Sequence, residues 1–200
     1  MAGVHPAPGE PPHPFLQARE EQTVLRQLAR LSVEPRQIEL MIATHLDEDH
    51  AGFIDAFPKT EIVIQQGHRA AIRDLGLPRF DAVRPNWDPA DLRFREVQGD
   101  VEVTEGVSVI ESGGHVPGHQ SVLVELPQTG PVLLAIDAIP HHEMIDPETR
   151  VIMPIDLDAM RTRESTRKLM EPAAQAPALR SRLTHARRRT IESGWLLNPE

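Results

Sequence analysis

The chain has 200 residues, a length that suits one domain with a sizeable core. Its formal net charge of −9 argues against a general nucleic-acid-binding surface, and the lack of cysteine excludes disulfides and thiolate metal sites. No apolar run is long enough to predict a signal peptide or a membrane span, so we expect a cytoplasmic protein that binds neither membranes nor nucleic acid.

The first predicted element is a helix. Residues 1–17 are rich in proline, which predicts a disordered extension. After it, the segment Glu20–Leu31 places Val24, Leu25 and Leu28 at helical spacing. The chain then runs directly into an apolar segment.

That apolar segment, Gln37–Thr44, predicts a buried strand, and four side chains with metal-binding chemistry follow it. These are His45, Asp47, Asp49 and His50. Imidazole nitrogen and carboxylate oxygen are donors that Zn²⁺, Mn²⁺ and Fe²⁺ accept. A solvated surface turn is the alternative for this loop alone, and the rest of the chain argues against it.

The middle of the chain predicts scaffold. Glu61–Ile64 is a short strand, and Gln66–Leu75 has the spacing of a helix. A histidine in such a helix, here His68, is more often a surface or hydrogen-bonded residue than a metal ligand. The proline-rich segment 76–92 predicts a loop.

A second group of candidate ligands follows downstream. Val107–Glu111 predicts a strand that leads to a glycine-flanked His115, where the backbone can turn tightly. The runs Ser121–Leu126 and Val132–Ala135 predict a hairpin that returns to Asp137. His115 and Asp137 are therefore expected at the same edge of one sheet.

Together these motifs resemble the metallo-β-lactamase-fold hydrolases, whose signature is H-x-H-x-D-H, then a glycine-flanked His, a bridging Asp and a last His. The segment Gly114–Ser121 and the hairpin ending in Ile136–Ala138 are similar to the N-acyl homoserine lactonase branch. The resemblance covers roughly Glu20–Ala174. It implies an α/β fold, the αββα sandwich of that family, incomplete in its first half because the strands expected before the motif are missing.

The resemblance also implies a centre of two divalent ions, with Zn²⁺ expected and Mn²⁺ or Fe²⁺ as alternatives. The implied ligands are His45, Asp47 and His115 for the first ion, Asp49, His50 and the downstream candidate His185 for the second, and Asp137 as the bridge. Two such cations lower the pKa of a shared water toward neutrality and polarise an ester carbonyl. Asp49 and Asp137 are the implied catalytic residues, with Asp49 orienting the water.

Two departures from the family pattern lie inside this site. Asp47 stands where most members carry a second His, and a harder ligand shifts preference toward Mn²⁺ or Fe²⁺. Many lactonases of this type carry a Tyr three residues after the bridging Asp, but this chain has no Tyr and has Pro140 there. His141 or His142 would be the substitutes, with plain loop residues as the alternative.

Both ends of the chain also depart from the pattern. We predict a disordered extension at 1–17, a metallo-hydrolase domain at 18–175 and an atypical, disordered tail at 176–200. A truncated start and an altered tail, as a frameshift would produce, are the preferred explanation. Such a chain is expected to be poorly soluble and weakly active.

The sequence therefore predicts a metal-dependent hydrolase that opens a small-molecule lactone or similar ester, with a quorum-quenching role. The alternatives are a glyoxalase II-like thioesterase on the same fold and a truncated, non-catalytic remnant. The acyl-chain preference, native metal and oligomeric state are not determined by the sequence.

Overall fold

The fold contains two sheets, and the computed structural model describes residues 21, 23–81 and 83–175 of the chain. The predicted extension at 1–17 and tail at 176–200 lie outside the described residues, and so does His185. The predicted domain boundaries therefore stay a prediction.

The first sheet is parallel and has three strands in the order β1-β2-β3. They are β1 (Leu40–Ile42), β2 (Glu61–Gln65) and β3 (Arg93–Val97). The central strand β2 is almost entirely buried, as expected for a strand covered on both faces.

The second sheet is antiparallel, with four strands in sequential order. They are β4 (Val101–Thr104), β5 (Val107–Glu111), β6 (Gln120–Leu126) and β7 (Gly130–Leu134). The predicted hairpin is the β6–β7 pair, in which Leu126 lies opposite Gly130 across a short turn.

Helices connect and cover the sheets. They are α1 (Val24–Arg30), α2 (Glu48–Ala51), α3 (Gln66–Leu75), α4 (Pro78–Asp81), α5 (Arg84–Trp87) and α6 (Ala159–Gln175). Short 3₁₀ turns occur at Pro35–Gln37, Ile54–Ala56, Ile136–Ala138 and His142–Met144. Among the described residues, every helix is too short or too polar to span a lipid bilayer.

Side-chain alternation along the strands creates the layers. Ile62 and Ile64 of β2 pack on the helical side with residues such as Ile72 of α3, whereas Val63 faces the other sheet and packs with Val109 of β5. A third cluster covers the outer face of the second sheet; it includes Leu133, Ile139 and Leu169, the last from α6. The resulting α/β/β/α order confirms the predicted fold class.

The predicted elements are mostly present, with corrections at their ends. The strand predicted at 37–44 is only Leu40–Ile42, and the helix predicted at 20–31 spans Val24–Arg30. Asp158, just before α6, accepts the Arg161 N–H (3.0 Å) and so caps its first turn. The helix boundary is thus set by a cap rather than by apolar spacing.

Two strands and three short helices were not predicted, and α2 in the His45–His50 loop is one of the helices. β3 carries Arg93, Arg95 and Glu96, and β4 alternates valine with Glu102 and Thr104, so neither strand has an apolar run. The segment read as a loop at 76–92 contains α4 and α5. There the buried Phe80 and Trp87 form the packing contact, and the Trp87 indole N–H donates to the Phe80 carbonyl (3.2 Å).

Two glycines in the left-handed region allow a matched test of how tightly the β5–β6 loop is packed. Gly118 has φ +64°, and a Cβ there would lie 2.3 Å from the backbone nitrogen of His68. Gly76, which ends α3, has φ +54° with no heavy atom within 4 Å of the corresponding Cβ position.

We expect Gly76→Ala to cost about 1 kcal/mol, the penalty of the backbone conformation alone. Gly118→Ala should cost about 3 kcal/mol more because the clash is with backbone and cannot relax through a rotamer change. Thermal unfolding of both variants measures the difference, at about 2–4 °C per kcal/mol. Equal melting temperatures would contradict the close approach of this loop to α3.

Candidate metal centre

The first ligand group lies where the first sheet ends. His45 follows β1 and is completely buried at its side chain, and Asp47 is the N-cap of the short helix α2. Asp49 and His50 belong to α2 and are partly exposed, at 33% and 24% of their side chains. The loop therefore presents two buried and two accessible donors.

His115 reaches the same place from the loop between β5 and β6. It is buried, with 2% of the residue exposed. The preceding Gly114 has φ +132°, and a Cβ there would lie 2.4 Å from the backbone nitrogen of Thr162 in α6. Only glycine permits that contact, and it brings the His115 backbone against the start of α6.

Asp137 comes from the turn after β7. The preceding Ile136 has φ +53°, a conformation that β-branched residues rarely adopt. Such local strain persists only where the surrounding packing imposes it, and it is often found at functional sites. Asp137 is thereby directed toward the loop that carries His45.

The structure brings six of the seven candidate ligands together. His45 Nε2 lies 3.3 Å from one oxygen each of Asp47 and Asp137. His115 Nε2 lies 3.2 Å from Asp47 Oδ2 and 3.6 Å from Asp137 Oδ2.

The more exposed part of the cluster completes this arrangement. His50 Nε2 lies 3.2 Å from Asp137 Oδ2 and 3.5 Å from Asp49 Oδ2. One donor atom each of His45, His115 and Asp137 lies within 4.8 Å of the others. His185, the seventh candidate, lies outside the described residues.

The electrostatics of this cluster favour bound positive charge. Burial lowers the pKa of His45, but Asp137 and Asp47 outweigh that effect and raise it to about 9. Burial raises the pKa values of Asp47 and Asp137, yet contacts with the surrounding imidazoles keep both carboxyl groups well below their usual range. Both carboxylates are therefore ionised at neutral pH.

These residues fit a divalent cation. His45 Nε2 is a buried nitrogen without a hydrogen bond of acceptable geometry, although two carboxylate oxygens lie 3.3 Å away. An unpaired buried polar atom is costly, and a metal ion between imidazole and carboxylate donors would satisfy it. The donor set suits Zn²⁺, Mn²⁺ or Fe²⁺.

His68 holds the two ligand loops together. Its Nε2 accepts the Leu46 N–H (2.9 Å), and its Nδ1 donates to the Pro117 carbonyl (2.7 Å). Burial lowers its pKa to about 4, so the ring stays neutral and keeps this donor–acceptor arrangement. His68 was predicted to be either a surface residue or a hydrogen-bonded one, and its burial and these contacts support the second alternative.

His119 is also part of the support. Ser121 Oγ donates to the Ala135 carbonyl (3.0 Å), so it must accept from Ser112 Oγ (2.8 Å). The Ser112 oxygen then accepts from His119 Nδ1 (2.9 Å). This chain of hydrogen bonds joins the β5–β6 loop to the end of β7, two residues before Asp137.

Asp156 is a functional candidate that the sequence did not reveal. Its Oδ1 lies 3.2 Å from His115 Nδ1, and its Oδ2 accepts the Met153 N–H (2.8 Å). A carboxylate on Nδ1 fixes the ring so that Nε2 faces the cluster, as is common for metal-binding histidines. Sequence spacing offered no signal because the two residues are 41 positions apart.

Arg79 is the second candidate that was missed. It lies in α4, within the segment predicted as a loop, and its guanidinium forms an ion pair with Asp47 through two nitrogens. One of those nitrogens also lies 3.2 Å from His115 Nε2. One arginine among 21 basic residues carries no sequence signal for this role.

The residues considered as substitutes for the family Tyr lie in an exposed turn. His141 and His142 are exposed, and His142 begins a 3₁₀ turn. Their placement favours the interpretation as loop residues.

The contact between Asp156 and His115 yields a prediction. Asp156→Asn should weaken binding of a divalent metal by about tenfold or more, because the amide orients the ring less firmly and lowers its basicity. Titration with Zn²⁺ against a chromophoric chelator measures the effect. Glu148→Gln, which alters an exposed carboxylate paired with Arg167, is the control and should leave affinity unchanged. Unchanged affinity in Asp156→Asn would show that Asp156 does not support a ligand.

Comparison with known proteins agrees with this geometry. Residues 9–183 match the model of the metallo-beta-lactamase superfamily. An N-acyl homoserine lactonase from Bacillus sp is 38% identical over 119 residues, which cover 60% of this chain and 46% of the relative. The N-acyl homoserine lactonase AttM of Azorhizobium caulinodans is 33% identical over 127 residues, covering 60% and 48%.

A solved structure shows the same fold. It is an N-acyl homoserine lactone hydrolase with the product N-hexanoyl-L-homoserine bound at its catalytic metal centre, 32% identical, with a TM-score of 0.70. The match covers 80% of this chain and 60% of that one. The chain thus spans about half the length of the curated relatives it matches. From its buried cluster, its layered fold and these matches, the chain belongs to the metallo-β-lactamase superfamily.

Proposed function

We propose that this chain is a metal-dependent hydrolase that opens the ring of an N-acyl homoserine lactone. The observation that carries the proposal is the convergence of His45, His115 and Asp137, from two sheets, within 4.8 Å. The lactonase relatives and the product-bound neighbour support the substrate class. The same proposal includes a cytoplasmic, quorum-quenching role.

The proposed centre holds up to two divalent ions, with Zn²⁺ expected. His45, Asp47 and His115 would hold the first, Asp49 and His50 the second, and Asp137 would bridge them. When bound, such ions supply a water that is deprotonated near neutral pH and a Lewis acid for the carbonyl. His185 remains a proposed ligand of the second ion.

The chain's own residues would position the reactants. Asp49 is one-third exposed, so its carboxylate can accept a hydrogen bond from an attacking water at the open side of the cluster. Asp137 is also partly exposed, whereas His45 and His115 are buried on the opposite side. A lactone would therefore approach from the side of Asp49 and His50. Asp49 would take a proton from the attacking water and pass it to the ring oxygen as the acyl C–O bond breaks, which would release the open hydroxy acid.

A thioesterase on the same fold is the second candidate. The segment Gly114–Ser121, which resembles the lactonase branch, supports ring opening instead, and so do the lactonase relatives. Parallel assays of the purified chain with N-hexanoyl homoserine lactone and with a glutathione thioester separate the two. Faster thioester cleavage would replace the proposed substrate class, and the lack of both activities would favour a non-catalytic remnant.

We expect Asp137→Ala to remove most bound metal and to lower lactone hydrolysis by at least about 100-fold, since this carboxylate contacts three imidazoles. Elemental analysis of the folded protein and a pH-indicator assay of ring opening measure the two effects. Asp146→Ala, which removes an exposed turn carboxylate, is the control for an aspartate lost elsewhere. If the wild-type chain takes up no Zn²⁺, Mn²⁺ or Fe²⁺, the proposed function is wrong.

A further inference from the structure

The Arg79 side chain lies where a divalent cation would bind. Its Nε donates to Asp47 Oδ1 (2.7 Å), and Nη2 contacts Asp47 Oδ2 and lies 3.2 Å from His115 Nε2. Asp47 and His115 are two of the three residues proposed to hold the first ion. One guanidinium therefore contacts donor atoms that this ion would need.

The position of Arg79 is fixed by its surroundings. The next residue, Phe80, is buried, packs in the core of the first sheet and accepts the Trp87 indole N–H. The remaining nitrogen, Nη1, donates to the Ile155 carbonyl (2.8 Å) in the loop before α6. The side chain is only 25% exposed. It is thus held at both ends, unlike a free surface arginine.

The chemistry of these contacts matches the substitution at Asp47. A carboxylate pairs with a guanidinium through two parallel hydrogen bonds, whereas the imidazole usual in the family offers no such partner. The same guanidinium lies 3.2 Å from His115 Nε2, the nitrogen through which His115 would hold the first ion. Either a guanidinium or a metal ion can occupy the position beside this nitrogen and the Asp47 carboxylate.

We propose that Arg79 is an internal counter-ion of Asp47 that competes with a divalent cation for Asp47 and His115, so that the first ion binds only when the guanidinium withdraws. This inference rests on the metal centre of the proposed function. It predicts a first subsite of reduced affinity, because metal binding must break a partly buried ion pair. In the metal-free protein the ion pair balances the charge of a carboxylate held among imidazoles.

The decisive variant is Arg79→Met in the full 200-residue chain, because methionine keeps an unbranched side chain and removes the charge. We expect Zn²⁺ to bind the first subsite at least about tenfold more tightly than in the wild type, by chelator competition. Arg79→Lys should give an intermediate affinity, since lysine keeps the charge but cannot pair through two nitrogens. Arg84→Met is the matched control; Arg84 is exposed and pairs with Asp81 and Asp88.

Thermal unfolding provides a readout that does not depend on activity. Without metal, Arg79→Met should melt below the wild type because Asp47 loses its guanidinium partner. Saturating Zn²⁺ should then raise its melting temperature by more than it raises that of the wild type. Equal or weaker Zn²⁺ binding in Arg79→Met, with a metal-binding wild type, would overturn the inference and leave the proposed function standing. Failure of every form to bind metal would overturn both.

Asp47→His supplies an independent arm of the test. It should raise the preference for Zn²⁺ over Mn²⁺, because imidazole is the softer donor. Alone, it leaves the Arg79 charge beside His115 and the introduced imidazole, so we expect the double variant Asp47→His/Arg79→Met to bind Zn²⁺ more tightly than Asp47→His. Competition between Zn²⁺ and Mn²⁺, measured for both variants, gives the energetic coupling between positions 47 and 79. Equal Zn²⁺ affinity in the two variants would contradict competition by Arg79.

Discussion

Two loops from different sheets must stay in register, and the rest of the cluster depends on this constraint. Gln120 is the main link between them. Its side-chain amide donates to the carbonyls of Ala43 (2.9 Å) and Val63 (3.1 Å), and its backbone N–H donates to the Thr44 carbonyl (3.0 Å). These buried bonds join the start of β6 to the end of β1. Because unsatisfied buried amides are costly, a shift of either loop would be penalised strongly.

His68 provides the second link, and both links act immediately beside the proposed ligands. Leu46, which donates to His68, lies next to His45, and Pro117, which accepts from it, lies two residues after His115. The close approach of Gly118 to the His68 backbone shows how little space separates these segments. Rigid support of this kind holds side chains in place before a ligand arrives, as metal sites require.

Charge balance is the other determinant of the site. Two ionised carboxylates, Asp47 and Asp137, lie among imidazoles in a largely buried region, where unpaired charge is expensive. In this chain Asp47 is already paired with Arg79, whereas the ion-pair partners of Asp137 within the described part of the chain are all imidazoles. Asp47 therefore already has a permanently charged cationic partner and, among the described residues, Asp137 does not. Under the proposed competition, replacing Asp47 would change metal binding rather than the fold.

The sequence by itself determined the fold class and most of the ligand candidates. The period of apolar residues predicts the β5 strand, the β6–β7 hairpin and α3, because each buries one face in a regular pattern. The spacing of His45, Asp47, Asp49 and His50 is local, so a short motif suffices to reveal it.

Only the tertiary structure decided which further residues meet that motif. Asp156 and Arg79 are 109 and 32 positions from Asp47 along the chain, and they meet the cluster through packing of α4 and of the loop before α6. Contacts between residues so far apart depend on the three-dimensional arrangement of buried side chains, which no local spacing encodes.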